Sequence, residues 1–307
     1  MKNTGLILEA PKVRDWIFGG ISGAERKIQN ISADWRSEVP PGELQKRGGL
    51  ETMSCVSQAS NNQLEILLYS IYKIKHALAD RADRYLAKIS GTTTKGNSFR
   101  NVGEAIKSSG VPHESSWPWP KKFTWQEFYK EVPRESIDEG LEFRDKYKPQ
   151  YEWVWPRLDG SDKKTVLYEA LKFGPLLVCN TYHAYVLLKV EGTKGWIFDS
   201  YEPFIKEKPL AEIEAAMLFT MANPDTTYTP PVKLPDECLV FESGGVGKFA
   251  LHLRGKLILD ELAKIQAVWT MRNSVDNFFK GGNTRNLVTE DFHAFRQVTL
   301  KGTPINF

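Results

Sequence analysis

The chain has 307 residues, 41% of them hydrophobic and 26% charged, a globular balance that excludes a disordered polymer. Its formal net charge of +3 is too small to imply a nucleic-acid or membrane partner. Three cysteines, Cys55, Cys179 and Cys238, cannot build a disulfide framework and point to a reducing compartment.

Residues 1–33 read as an arm. Its apolar run before Glu9 is shorter than a signal-peptide core, and Gly19, Gly20 and Gly23 interrupt the rest of the arm. No stretch approaches the roughly 20 apolar residues that span a bilayer, so the expectation is a protein not exported by a signal peptide. Residues 35–54 are rich in Pro, Gly and charge, including Pro40-Pro41-Gly42 and Gly48-Gly49, and read as a surface loop. Leu64, Leu67, Leu68, Ile71, Ile74 and Leu78 then recur at helical spacing. Ser54 or Asn61 would cap that helix, which puts Cys55 at or near its N-terminal end. Two short helices are expected over 83–93 and 100–109. The stretch 112–120 is too proline-rich for regular structure, and 125–147 reads as helix with a solvated face. The aromatic residues at 117–128 and 148–155 read as core and lobe-interface packing.

After Gly160 the character changes. The pattern predicts a helix over 163–173 stopped by Gly174, then strands over 176–179, 184–190 and 196–199, the last two joined by a turn at 191–195. A helix-rich first half and a strand-rich second half predict an α+β fold in two lobes. Residues 223–236 read as a linker. The boundaries expected are an arm over 1–33, a main domain over 34–222, the linker, and a C-terminal extension over 237–307. That extension is expected to mix short strands with a helix over 257–270. From Lys248 onward it carries nine basic and five acidic residues, a surplus that fits a solvated face or a docking surface for an acidic partner. The run Gly244 to Lys248 lacks the first Gly and the Ser or Thr of a phosphate loop. His76, His113, His252 and His293 have no paired ligand spacing, so neither metal nor cofactor is expected.

The chemistry concentrates on Cys55, His183 and Asp199. A helix N-terminus offers unpaired amides and partial positive charge, which favour thiolate over thiol at Cys55. His183 begins a strand about 130 residues later, and Asp199 lies on the returning strand. Two paired strands would bring Asp199 beside His183 and hold its imidazole ready for a thiolate. Each residue alone has a plainer reading, as packing cysteine, satisfied histidine or turn aspartate. Their order and spacing together carry the assignment.

The neighbouring segments carry a resemblance. Asp34-Trp35-Arg36 looks like a "DWR" element, and Ser54-Cys55-Val56-Ser57-Gln58-Ala59 is similar to "SCWAFA", with Val56 at the usual Trp. Gly96-Asn97 through Pro118-Trp119 looks like "NGG…A…GI…E…YPY", and Gly174-Pro175-Leu176-Leu177-Val178 like "GPVSV". His183-Ala184 resembles "HAV", and Asp199-Ser200-Tyr201 stands where "NSW" is usual. From about 34 to 205 the chain therefore resembles the papain-like cysteine peptidases. The opening Gly5-Leu6-Ile7-Leu8-Glu9, with Phe18-Gly19-Gly20 and residues 51–55, resembles those encoded by tailed bacteriophages.

The resemblance implies a helical lobe against an antiparallel β lobe, with the site in the cleft between them. It implies Cys55 as nucleophile, His183 as its base, Asp199 as orienting group, a thioester acyl-enzyme, and a protein or peptide substrate. Three positions depart from the pattern. The oxyanion-hole Gln would fall at position 49, which is Gly. Gln45 is the nearest candidate and needs a loop about four residues longer, while the Cys55 amide supplies a donor regardless. Asp199 stands for Asn, and Tyr201 and Thr52 stand for a Trp and a disulfide Cys. Two other readings accompany the peptidase. One is a catalytically weak or inactive component of a phage virion, docking on phage structural proteins through the C-terminal extension. The other is a peptidoglycan amide hydrolase, whose Cys–His separation is usually much shorter. The location implied is the host-cell cytoplasm or the virion, and the arm is expected to pack on the body.

Overall fold

The computed structural model describes residues 5–12, 15–19, 28–156 and 161–222, together with strands Cys238–Ser243, Gly247–His252, Gln297–Leu300 and Thr303–Asn306. The expected linker and the expected helix over 257–270 lie outside the described residues. The chain divides into two units, the first made of Met1–Asp15, Ala24–Pro156 and Ser161–Tyr228. In the second, Cys238–Ser243 pairs with Gly247–His252, and Gln297–Leu300 with Thr303–Asn306, both antiparallel. Cys55, His183 and Asp199 all belong to the first unit.

The first half of that unit is helical: α1 (Cys55–Ser70), α2 (His76–Ala79), α3 (Asp83–Ile89), α4 (Phe99–Ser109), α5 (Trp125–Phe128) and α6 (Arg134–Tyr147). Before them lies a hairpin of β1 (Lys46–Arg47) and β2 (Leu50–Glu51). Its second half holds β3 (Gln150–Trp155), α7 (Lys163–Leu171), β4 (Leu176–Cys179), β5 (Ala184–Glu191), β6 (Lys194–Phe198), β7 (Ile205–Pro209) and β8 (Ala215–Thr220). The six strands β3 to β8 form one antiparallel sheet in the order β3-β8-β4-β5-β6-β7. This is the α+β arrangement of helices and antiparallel sheet expected from the sequence.

The centre of the unit is α1. Every residue from Cys55 to Leu68 is buried, and the helix packs against β5, β4 and α3. Val56, Leu64, Ile66, Leu67 and Leu68 are removed from water, worth about 1.5–3 kcal/mol each. Three of its buried polar residues are held by partners. Gln63 donates to the Pro175 carbonyl at 2.5 Å, Asn61 to Asp83 at 3.0 Å, and Glu65 accepts from the Arg81 amide at 2.8 Å. Asn61 is thus an interior residue of α1 and not its cap. Ser54 holds the cap position without a side-chain capping bond.

The apolar rhythm that predicts one helix through Leu78 runs over a break. After α1 the chain turns at Lys73, whose φ is +56°, before α2 begins, and Leu78 is exposed. The segment 125–147 divides likewise into α5 and α6 around Pro133, which cannot continue a helix. Residues expected only as aromatic packing form β3, where Tyr151 and Trp153 are buried as that reading required.

Arm residues Gly5, Ile7, Glu9 and Asp15 are tied into this unit. The Ile7 amide donates to the Asn97 carbonyl and the Asn97 amide to the Gly5 carbonyl, both at 2.8 Å. Arg100 binds Glu9 and Asp15. Gly5 has φ +116°, and a Cβ there would lie 2.1 Å from the Met53 carbonyl oxygen. Only glycine lets the arm pass that close to the strand-to-helix approach.

Candidate active site

Cys55 is the first residue of α1 and is completely buried. Met53 bends the approach with φ +57°. The Tyr129 hydroxyl donates to the Thr52 carbonyl at 2.6 Å, and Thr52 and Ser54 share a hydroxyl hydrogen bond of 2.6 Å. The turn into the helix is therefore tied at Thr52 and Ser54, immediately before Cys55.

His183 ends the tight turn between β4 and β5. One side chain builds that turn: Asn180 Oδ1 accepts from the Tyr182 and His183 amides, each at 2.9 Å, while the Asn180 amide donates to the His183 carbonyl at 3.0 Å. Asp199 comes directly after β6. The antiparallel β5–β6 register pairs Val186 with Phe198, so Asp199 falls opposite Tyr185 and on the same face as His183, two residues before Tyr185. The result is His183 Nε2 at 2.6 Å from Asp199 Oδ1. The second carboxylate oxygen takes Lys206 Nζ at 2.8 Å.

Burial works to lower the His183 pKa, but hydrogen bonds with Asp199 and Cys55, and their charges, raise it to about 9. Burial likewise pushes Asp199 up, yet the bond and charge of His183, and then those of Lys206, hold it below the ordinary carboxylate range. Because Nε2 is engaged by Asp199, Nδ1 is the ring nitrogen left for the Cys55 sulfur. Cys179 is different. It is buried in β4, and burial pushes its thiol well above the ordinary range, so it stays a packing residue.

Gln45 is also brought to this cluster. It is completely buried. Its Nε2 donates to Glu51 Oε1 at 2.5 Å, its Oε1 accepts from Ser200 Oγ at 3.2 Å, and its amide donates to the Ser200 carbonyl at 3.2 Å. The longer spacing to Cys55 has a structural cause. The intervening residues fold into the β1–β2 hairpin, whose turn is Gly48-Gly49 with φ of +55° and +83°. That two-residue turn requires positive φ at both positions, which glycine supplies. The hairpin absorbs the extra chain and sets Gln45 next to the residue after Asp199.

Several participants carry no sequence signal of their own. Lys206 sits in the alternating strand β7 and reads as one more surface lysine. Asn180 reads as a turn residue, which it is. Glu51 reads as loop charge, but accepts from Gln45, from the Tyr201 hydroxyl at 2.5 Å and from the Met53 amide at 3.4 Å. The Gly-Gly pair between two short runs is the one signal present, since it predicts a hairpin that returns Glu51 over Gln45. Tyr201 in turn lies with its ring 5.3 Å from that of His183.

No protein-family model matches the sequence, and no curated protein sequence matches it. Solved structures do. Xylellain, a cysteine protease from Xylella fastidiosa, is 13% identical over 72% of this chain and 97% of its own, with a TM-score of 0.51. Digestive procathepsin L 3 of Tenebrio molitor larval midgut is 14% identical over 71% and 76%, with a TM-score of 0.48. A cysteine protease of Carica candamarcensis, solved in complex with E-64, is 14% identical over 61% and 96%, with a TM-score of 0.42. Through the first of these, the helices and antiparallel sheet of this chain are those of the papain-like cysteine protease fold.

Proposed function

We propose that the chain is a papain-like cysteine peptidase or amide hydrolase acting through Cys55, His183 and Asp199. The observation that carries the reading is the imidazole held between Asp199, at 2.6 Å, and the cysteine that opens α1. The Cys55 sulfur attacks the scissile carbonyl as thiolate, and the carbonyl π pair moves to oxygen. His183 gives its proton to the leaving amine as the tetrahedral adduct collapses to a thioester. Water, deprotonated by His183, then releases the acyl group. Asp199 orients the ring, and the Cys55 amide with Gln45 receives the oxyanion. The substrate class is a peptide or protein amide.

The test is a thiol-directed acylating probe, with mass spectrometry as the readout. Wild type should be labelled on Cys55, and Cys55→Ala should not be labelled at all. Labelling that survives the substitution defeats the assignment.

One observation bears on a second reading, a catalytically weak or inactive component of a phage virion, through its catalytic weakness alone. Gln45 is buried, and its amide nitrogen already serves Glu51. Purified particles holding many stoichiometric copies without peptidase activity would decide for that reading.

A further inference from the structure

Glu51 touches both flanks of the site, and the proposed mechanism leaves it without a task. It lies at the end of β2, paired across the hairpin with Lys46. One carboxylate oxygen accepts from Gln45 Nε2 and the Met53 amide, and the other from the Tyr201 hydroxyl. Burial first, and then the bond to Glu51, push the Tyr201 phenol far above its ordinary pKa, so the phenol is a fixed donor to the carboxylate. Gln45 is clamped at its other end by Ser200. An amide free to rotate about its last torsion presents its nitrogen and oxygen alternately, whereas one bonded at both ends keeps a single orientation. A carboxylate accepts and never donates while ionised, so it selects the nitrogen side of Gln45 over the oxygen side.

We infer that Glu51 is a positioning residue that fixes the Gln45 carboxamide with its nitrogen toward the nucleophile's loop, and sets Tyr201 against the His183 ring. This rests on the peptidase reading. An amide nitrogen carries two hydrogens. Glu51 takes one, and the orientation it imposes decides where the other points. Oxyanion donors act through preorganisation, so a residue that holds the donor matters to the steps that form an oxyanion and not to a displacement that forms none.

Two reactions of the same sulfur separate this role from a structural one. With p-nitrophenyl acetate, a C–S bond forms, the carbonyl π pair moves to oxygen, and p-nitrophenolate leaves as the pair returns. With iodoacetamide, a C–S bond forms as iodide leaves, and no oxyanion arises. The experiment measures the p-nitrophenolate burst and the alkylation rate for wild type, Glu51→Gln, Glu51→Ala and Tyr201→Phe. Loss of an oxyanion donor costs about 10²–10³-fold. Misorientation in Glu51→Gln should therefore slow acylation by about tenfold or more, and in Glu51→Ala further, with alkylation unchanged. Tyr201→Phe removes one anchor and should slow the same step less.

Acylation by Glu51→Gln at the wild-type rate or faster overturns the inference, the faster rate marking Glu51 as a latch on Gln45. Parallel loss of both reactions in both Glu51 variants also overturns it, since that is a folding defect. A wild type with no burst defeats the peptidase reading and takes this inference with it, a distinct signature from either.

Discussion

Two buried carboxylates in the first unit have nearly equal exposure and opposite fates. Asp199 is 4% exposed and Asp83 is 5% exposed, yet Asp199 is held below the ordinary carboxylate range and Asp83 well above it. Burial acts in the same direction on both. The difference is company. Asp199 faces His183 at 2.6 Å and Lys206 at 2.8 Å, two cations around one anion. Asp83 faces Glu43, Glu114 and Glu65, whose charges raise it further, against one hydrogen bond from Asn61. Glu65 and Glu114 are themselves pushed to about 8, by burial first and then by their acidic neighbours. Burial raises all of these carboxylates first; at Asp199 the two cations outweigh it, and in the acid cluster the neighbouring anions add to it. The site keeps its charges, and the acid cluster keeps its protons.

The strongest way to break the contrast is at Asp199. Asp199→Ala removes the orienting bond and should slow Cys55 acylation by about 10²-fold, below the roughly 10⁴-fold of a serine triad because a thiolate needs less activation. Asp199→Asn separates orientation from charge. It keeps a hydrogen-bonding oxygen for Nε2 but removes the anion that raises His183. The alkaline limit of acylation, set where His183 loses its proton at about 9, should move down toward the ordinary histidine value. Burst amplitude measured across pH checks both variants. An unchanged alkaline limit in Asp199→Asn would show that Asp199 does not set the imidazole charge.

The acid cluster makes a stability prediction of comparable reach. Glu65 and Glu114 hold their protons to about 8 in the fold, whereas the unfolded chain releases them near 4.5. Between those values the folded state binds more protons, so stability falls as pH rises. Their contribution is whole below about 4.5 and gone above about 8. His183 acts with the same sign, whole below 6.5 and lost through about 9. The thermal midpoint should therefore drop between pH 5 and 9, with a loss on the order of a few kcal/mol. Glu65→Gln has no proton to lose and should flatten the slope between pH 5 and 8. A midpoint that rises over that window would refute the protonated cluster.

The two regions also differ in how well they can be read from sequence. The Cys55, His183 and Asp199 set is legible because each lies beside a locally encoded feature. Cys55 opens an apolar helix, and His183 and Asp199 flank a hairpin whose turn at 191–195 is plain in composition. The acid cluster is not legible, because Glu43, Glu65, Asp83 and Glu114 come from a loop, two helices and a proline-rich stretch that meet only in three dimensions. The same cause hides β8. It enters the sheet between β3 and β4, partners far behind it in the chain, and no local pattern states that register. Glu51 is an intermediate case: its hairpin is legible in Gly48-Gly49, but the docking of Gln45 on Ser200 is not.

The smallest effect tests the cation side of the comparison. Lys206 reaches Asp199 from β7 with its side chain 23% exposed, so solvent screens part of the pair. Lys206→Met leaves His183 as the cation facing Asp199 among the described residues. The carboxylate charge is then less compensated and holds the imidazolium more firmly, so the alkaline limit of acylation should move up by about half a unit. That sign is opposite to the one expected for Asp199→Asn. The burst amplitude between pH 8 and 10 reads the difference directly. A downward shift in Lys206→Met would mean that the lysine acts by holding Asp199 in place, with orientation and not charge as the quantity that the second cation supplies.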